Sequence, residues 1–462
     1  MSQNKALVFK KIPQGYPVPG QDIVVEPVSV DPNSPAPANG VVLQSLYTSL
    51  DPYMRGRMRP AEVKSYSPAF AMDKPIDSSS IAKVLRSNNS KYKEGDLVIG
   101  FVPIQEYIVL DEQSIVRIRP LENPLGIEDI RVFLGALGMP GLTAYSSLYE
   151  IGKPKKGETI FVSAASGAVG QLVGQLAKHE GLKVIGSVGS DDKLEYITKE
   201  LNFDGGFNYK NEKPADALAR LAPEGIDIYY ENVGGEHLEA ALDAMNNFGR
   251  VVVCGMISQY NSAPYPIKNI QYVLTKRLTM RGFIVGDAGM GDKYTKEHQE
   301  NVQKWIKDGS FKALTHETVG IDNSADALLG IFHGKNKGKA PINIICRNVG
   351  HFRLGGERRA NQLRRNRMTA FPIGLPRFHP DELERLHLVA LPRAALSRRE
   401  YTQRLAFQHP HNGLNRPPVF PPPAVLPLCF PLAIRDQKWR RRVAGCGLPC
   451  LREEADPASS AS

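Results

Sequence analysis

Residues 159–178, T-I-F-V-S-A-A-S-G-A-V-G-Q-L-V-G-Q-L-A-K, change period in midcourse. A strand-forming run (Ile160, Phe161, Val162) breaks at Ala164-Ala165-Ser166-Gly167, and apolar residues then recur at helical spacing as Val169, Leu172, Val173 and Leu176. The pattern predicts a strand, a tight glycine turn and a helix. Small residues from Ala164 to Gly170 let a phosphate approach the backbone, while the helix behind them offers N–H groups and the positive end of its dipole. Against the dinucleotide fingerprint G-x-G-x-x-G the first glycine is Ala165, with Gly167 and Gly170 in the other two places. Such a turn also serves plain packing, so its surroundings decide.

Those surroundings alternate. Strands are predicted at 159–163, 183–188, 206–209, 226–231, 250–256 and 278–285, with helices at 167–180, 191–202, 214–222, 235–247 and 292–308. The fold class is therefore α/β, a doubly wound parallel sheet of Rossmann type with the fingerprint on its first strand, where a pyrophosphate belongs. Earlier residues read differently: short strands at 6–9, 23–27, 41–50, 81–85, 97–101, 107–110 and 115–118, punctuated by proline and glycine, predict a β-rich barrel. Two helices are expected over 128–152. Residues 315–346 read as a helix and a final strand that return to the barrel. The expected division is 1–130 with 315–346 as one domain, 131–314 as the dinucleotide-binding domain, and 347–462 as an extension.

The formal charge of +10 belongs to that extension. Residues 347–462 hold 20 Lys+Arg and 9 Asp+Glu, leaving 38 basic and 39 acidic residues before them. This Arg- and Pro-rich segment reads as disordered, with a short helix at 380–404, or equally as a reading frame that overruns the natural end. Its densest basic clusters, Arg440-Arg441-Arg442 after Trp439 and Arg364-Arg365, are too sparse and aromatic-poor for an ordered nucleic-acid surface. The N-terminus M-S-Q-N-K-A lacks a signal-peptide apolar block, and no run of eighteen apolar residues exists, so a soluble cytoplasmic protein without membrane contact is expected. Of five cysteines, Cys254 and Cys346 stand too far apart for metal-ligand spacing, and Cys446 and Cys450 form a C-x-x-x-C with no histidine or second pair near it, which reads as unrelated thiols in a reducing compartment.

Ordered motifs then carry a resemblance. They are Asp51-Pro52-Tyr53-Met54-Arg55-Gly56-Arg57-Met58, A-A-S-G-A-V-G at 164–170, Phe207-Asn208-Tyr209-Lys210, Glu231-Asn232-Val233-Gly234-Gly235, C-G-M-I-S-Q-Y-N at 254–261, Met280-Arg281-Gly282-Phe283 and G-K-N-K-G-K at 334–339. With them the chain resembles the zinc-free medium-chain dehydrogenase/reductase superfamily, and within it the NADPH-dependent alkenal double-bond reductases and leukotriene B4 dehydrogenase/prostaglandin reductases. The resemblance implies a GroES-like first domain, NADPH as cofactor and a homodimer joined through the Rossmann sheet edges. Two departures stand out. Ile76-Asp77-Ser78-Ser79-Ser80 replaces a glycine-rich stretch, and Val102-Pro103-Ile104 runs into Gln105-Glu106-Tyr107 without a Gly-Trp, so loops near the substrate mouth are expected to differ.

No metal is predicted, because a catalytic zinc needs three protein ligands and the span before residue 250 holds no cysteine and only His179 and His237, both in helical segments. An NAD enzyme places Asp or Glu about 20 residues beyond the glycine motif; here that position falls in Gly186-Ser187-Val188-Gly189-Ser190, which favours NADPH. Ser166, Gly167, Ala168, Val169 and Gly170 are expected to hold the pyrophosphate. Lys193 and Tyr209 match phosphate-contacting positions of the family, although a lysine there also suits a plain helix surface. Asn232 sits at a strand end where ligands bind, and Cys254, Ser258 and Tyr260 should run beside the nicotinamide. The remaining implied contacts are Phe283, Ile284, Val285 and Asn336. Without zinc, a hydrogen-bond donor must polarise the enone, with a tyrosine or a ribose hydroxyl stabilising the enolate oxygen; Tyr260 is the first candidate and Tyr53 its partner in the substrate pocket, although either ring also suits a plain apolar wall. The expected function is NADPH-dependent reduction of the double bond of α,β-unsaturated aldehydes and ketones. The alternatives are a quinone oxidoreductase on the same scaffold and a non-catalytic NADPH-binding protein with a basic tail.

Overall fold

The computed structural model describes residues 4–31 and 33–344. The readings made for 347–462, disorder and the helix at 380–404 alike, fall outside the described residues.

The chain opens with β1 (Lys5–Phe9), β2 (Ile23–Pro27) and β3 (Val41–Leu50), then a one-turn helix α1 (Met54–Arg57). Next come β4 (Lys74–Pro75), β5 (Asp77–Ser87), β6 (Leu97–Pro103), β7 (Tyr107–Leu110) and β8 (Ile118–Pro120). All pair antiparallel: β1 between β2 and β4, and β3 beside β5 and β7, with β6 and β8 beyond β5. Late in the chain β15 (Thr318–Val319), helix α9 (Ser324–Phe332) and β16 (Ala340–Asn343) follow, and β16 lies antiparallel on β3.

Between these lie α2 (Met139–Ser147) and six parallel strands: β9 (Thr159–Val162), β10 (Lys183–Val188), β11 (Gly205–Asn208), β12 (Ile226–Glu231), β13 (Met245–Val253) and β14 (Thr279–Gly282). Their order is β11-β10-β9-β12-β13-β14, which reverses beside β9 and so makes a ligand crevice at the strands' carboxyl ends. The connecting helices are α3 (Gly170–His179), α4 (Asp191–Glu195), α5 (Pro214–Leu221), α6 (Gly235–Ala244), α7 (Tyr272–Thr275) and α8 (Gly291–Asp308). Strands β9 and β12 are buried on both faces: Ile160, Val162, Ile228 and Tyr230 join one core, and Phe161 and Tyr229 the other. That two-sided burial is why they read as apolar runs rather than alternations.

Three local expectations are corrected. Strand β5 begins at Asp77, four residues before the predicted start at 81, and there Ser78 Oγ donates to Ser49 O at 2.7 Å and Ser80 Oγ pairs with Thr48 Oγ1 at 2.9 Å. Over 128–152 a 3₁₀ turn, Ile130–Leu134, precedes α2, which starts after Gly138 with proline in its first turn and runs on as a π segment, Leu148–Gly152. Strand β13 begins at Met245, five residues earlier than the apolar pattern indicated, since Asn246 and Asn247 interrupt it.

Candidate active site

The turn after β9 is tight. Ala164 adopts φ +48°, and Gly167 N–H donates to its carbonyl at 2.9 Å. A Cβ on Gly170 would meet Ala164 O at 2.4 Å, so only glycine lets the helix start this close to the turn. Helix α3 therefore begins at Gly170 rather than 167 and leaves its first N–H groups beside Ser166, Gly167, Ala168 and Val169. The loop before β16 closes one side: Gly338 N–H donates to Ser166 O at 2.7 Å, and Asn336 Nδ2 donates to Gly338 O at 2.8 Å.

At the end of β10 the Tyr209 hydroxyl lies 3.0 Å from where a Gly189 side chain would begin, so glycine makes room for that ring. Lys193 is no surface lysine. It is 7% exposed, and its ammonium donates to Gly334 O at 2.5 Å. Burial lowers its pKa, Asp192 opposes that effect, and Lys210 and Lys337 act with it as like charges. Three lysines thus converge here, an arrangement suited to an anion. No carboxylate lies in 186–190, but two follow: Asp191 accepts from Asn208 Nδ2 at 2.8 Å, and Asp192 accepts from Ser190 Oγ at 2.6 Å.

The ends of β12 and β13 carry a second group. Glu231 is fully buried, and its Oε1 accepts from Tyr229 OH (2.8 Å), Val233 N–H (2.6 Å) and Gly234 N–H (2.8 Å). Burial raises its pKa despite those donors. Asn232 is pinned from both ends, its backbone N–H donating to Ser163 Oγ at 2.9 Å and its Nδ2 to Ser163 O at 2.8 Å. Cys254 N–H donates to Glu231 O, while burial pushes its thiol up to about 12, which makes it a packing group and not a nucleophile. Ser258 Oγ donates to Val233 O at 2.6 Å. The Tyr260 hydroxyl stands 3.0 Å from the place of a Gly255 side chain, and burial pushes it up to about 12 although a backbone hydrogen bond at Met256 pulls it down. Phe283, Ile284 and Val285 follow β14, where Ile284 N–H donates to Asp287 at 3.0 Å.

From the antiparallel side Tyr53 enters at the start of α1, its pKa raised by burial. Ionised Tyr66 would oppose ionisation of both Tyr53 and Tyr260, which puts the three tyrosines within electrostatic reach of one another. Tyr66 was not legible in the sequence. Its loop hangs on Arg57, paired with Asp77 at 2.7 Å and stacked 4.1 Å over Phe70, and on Arg59, which donates to Gly56 O and Val63 O. The one available signal was the density of arginine in R-G-R-M-R just before that loop. Lys337 and Lys210 were likewise missed as partners of Lys193. Lys193 is tied to the loop 334–339 and Tyr209 lies beside Gly189 and His237, whereas Cys254 and Tyr260 gather at the ends of β12 and β13.

Among the described residues no group of three or more His, Cys, Asp or Glu is placed to hold a metal ion, and no helix is long and apolar enough to cross a membrane. Residues 168–305 match the family model described as zinc-binding dehydrogenase, and residues 5–118 that of the N-terminal domain of oxidoreductase. The described donor set does not fit the zinc in the first of those descriptions. The chain is 55% identical to the NADP-dependent oxidoreductase RED1 of Cochliobolus heterostrophus over 351 residues, 75% of this chain and 99% of that protein. It is 43% identical to the NADP(+)-dependent 2-alkenal reductase of Nicotiana tabacum over 345 residues, 74% of this chain and 97% of the relative. Among solved structures it is similar to CurA of Vibrio vulnificus in complex with NADPH, with a TM-score of 0.67 and 32% identity over 74% of this chain and 99% of that one.

Proposed function

The chain belongs to the zinc-free, alkenal reductase-like family of the medium-chain dehydrogenase/reductase superfamily, and from that premise we propose that it reduces the carbon–carbon double bond of α,β-unsaturated aldehydes and ketones. The cofactor is NADP(H), and the residues fit it: a glycine cradle that a Cβ at Gly170 would fill, and three lysines gathered beyond β10. In this reading Ser166, Gly167, Ala168, Val169 and Gly170 hold the pyrophosphate, while Lys193 and Tyr209 face the 2′-phosphate. Asn232, Cys254, Ser258 and Tyr260 border the nicotinamide, and Phe283, Ile284, Val285 and Asn336 complete the cleft. Bound NADPH supplies a hydride to the β-carbon of the substrate.

The observation that carries the reading is the Tyr260 hydroxyl, held beside Gly255 in surroundings that keep it protonated. It donates a hydrogen bond to the carbonyl oxygen and strengthens that bond as negative charge develops there. Tyr53 holds the substrate from the opposite side, and a proton reaching the α-carbon completes the reduction. The reading also takes residues 1–130 with 315–346 as the substrate domain, 131–314 as the cofactor domain, and the protein as a cytoplasmic homodimer.

A substrate panel tests this. NADPH oxidation by the full chain should be faster with medium-chain alkenals and enones than with naphthoquinones. Faster turnover of quinones would favour the quinone oxidoreductase reading, and no turnover of either class would leave a cofactor-binding protein without this chemistry.

A further inference from the structure

Lys337 Nζ lies 3.4 Å from Asp192 Oδ2 and 5.4 Å from the centroid of the Tyr196 ring. Asp192 stands two residues beyond Ser190, at the edge where β10 ends, and its other oxygen accepts from Ser190 Oγ. It is a carboxylate two residues past the stretch where an unphosphorylated dinucleotide seeks an acid for its ribose hydroxyls, close enough to that edge for its charge to oppose a 2′-phosphate. Lys193 acts on that charge but forms no ion pair with it, its buried ammonium donating instead to Gly334 O. Lys337 does pair with it, and its side chain remains about one-third exposed against 65% for Asp192, so both stay open to a ligand at this edge. Its place is fixed relative to the phosphate turn, since the very next residue is tied down: Gly338 N–H donates to Ser166 O, and Gly338 itself has φ +76° with Leu314 O where a side chain would go.

We propose that the Lys337–Asp192 pair sets the preference for a 2′-phosphorylated cofactor. Lys337 neutralises Asp192 and presents its ammonium to the phosphate; with Lys337 removed, the bare carboxylate turns the same edge toward a ribose diol. The inference rests on the NADP(H) reading and adds to it a residue outside the glycine cradle and outside Lys193 and Tyr209.

Titration calorimetry of the full chain with adenosine 2′,5′-bisphosphate and with 5′-AMP tests it without turnover. The unaltered protein should bind the bisphosphate more tightly than AMP. Lys337→Gln should weaken the bisphosphate roughly tenfold, as expected for one charge-assisted contact, and change AMP by less than about twofold. Adding Asp192→Asn to that variant should recover part of the loss, and raising the salt should narrow the gap. Lys337→Arg keeps the charge and should keep the preference, which separates the proposal from damage to the loop. Equal weakening of both ligands, no weakening at all, or no recovery on adding Asp192→Asn would overturn it. A wild-type protein that does not distinguish the two ligands would instead overturn the cofactor reading beneath it.

Discussion

Arg55 Nε lies 2.8 Å from Asn261 Oδ1, joining the helix after β3 to the residue that follows Tyr260. The same guanidinium donates to Gly15 O, from Nε at 3.1 Å and Nη2 at 2.9 Å, so one half-buried arginine holds an N-terminal loop and the Tyr260 loop together. Burial lowers its pKa without bringing it near neutrality, and it stays a cation. Asn261→Ala should lower kcat about tenfold, because a small displacement of Tyr260 is enough to misalign a donor. Arg55→Ala should cost at least as much, and the double variant little more than Arg55→Ala alone, since both remove the same link. Additive losses in the steady-state kinetics would show that the two residues act separately.

Tyr260→Phe removes the hydroxyl and keeps the ring. If that hydroxyl polarises the carbonyl, kcat should fall on the order of 10²–10³-fold with KM nearly unchanged. Tyr53→Phe should act mainly on KM. Because burial pushes Tyr260 up to about 12, the protonated donor persists well past pH 10, where an unperturbed tyrosine would be half ionised. The pH–kcat profile should therefore hold its alkaline plateau to about pH 11 before falling. A change confined to KM in Tyr260→Phe would reduce the ring to an apolar wall.

The parallel sheet was legible because its strands are buried on both sides and its helices on one, which writes two different periods into the chain. The fingerprint turn was legible for the same reason, and Gly170 explains why its last glycine cannot vary: the contact is with backbone, not with a side chain that could move. The start of β5 was placed too late because Ser78-Ser79-Ser80 is not an apolar run, whereas here cross-strand partners satisfy the hydroxyls of Ser78 and Ser80 inside the sheet. Tyr66 and Lys337 escaped for another reason. Their neighbours, Tyr260 for one and Asp192 for the other, lie more than a hundred residues away, and no local pattern encodes such a meeting.

His237 and His298 stabilise the fold only while neutral. His237 stacks on Phe161 and Phe207, His298 Nε2 donates to Ala136 O at 2.8 Å, and burial pushes both down to about 4 from an ordinary 6.5. A depressed folded-state value means that the unfolded chain takes up protons first. Their contribution is thus fully present above about pH 6.5 and is lost as pH falls toward 4, on the order of 3 kcal/mol for each. Urea midpoints measured from pH 7 to 4.5 should decline, and His237→Phe should shallow that decline at constant m-value. An unchanged slope in the variant would show that His237 is already protonated in the folded protein.

Lys339 and Asp51 form an ion pair out of contact with water, Lys339 1% and Asp51 4% exposed. Lys339 Nζ also donates to Leu50 O at 2.8 Å, and the Ser49 hydroxyl donates to the other Asp51 oxygen. Burial lowers the pKa of Lys339 while Asp51 opposes it, so the pair is held by mutual need in a poorly solvated place. Lys339→Met leaves a buried carboxylate unpaired and should cost about 3–5 kcal/mol in denaturant unfolding. Asp51→Asn added to it removes the stranded charge, so the double variant should be more stable than Lys339→Met alone. Because Tyr53 lies two residues from Asp51, the single variant should also weaken substrate turnover, and the double should recover part of it. A double variant no more stable than Lys339→Met would mean that water already reaches Asp51 and that the pair contributes as little as one on the surface.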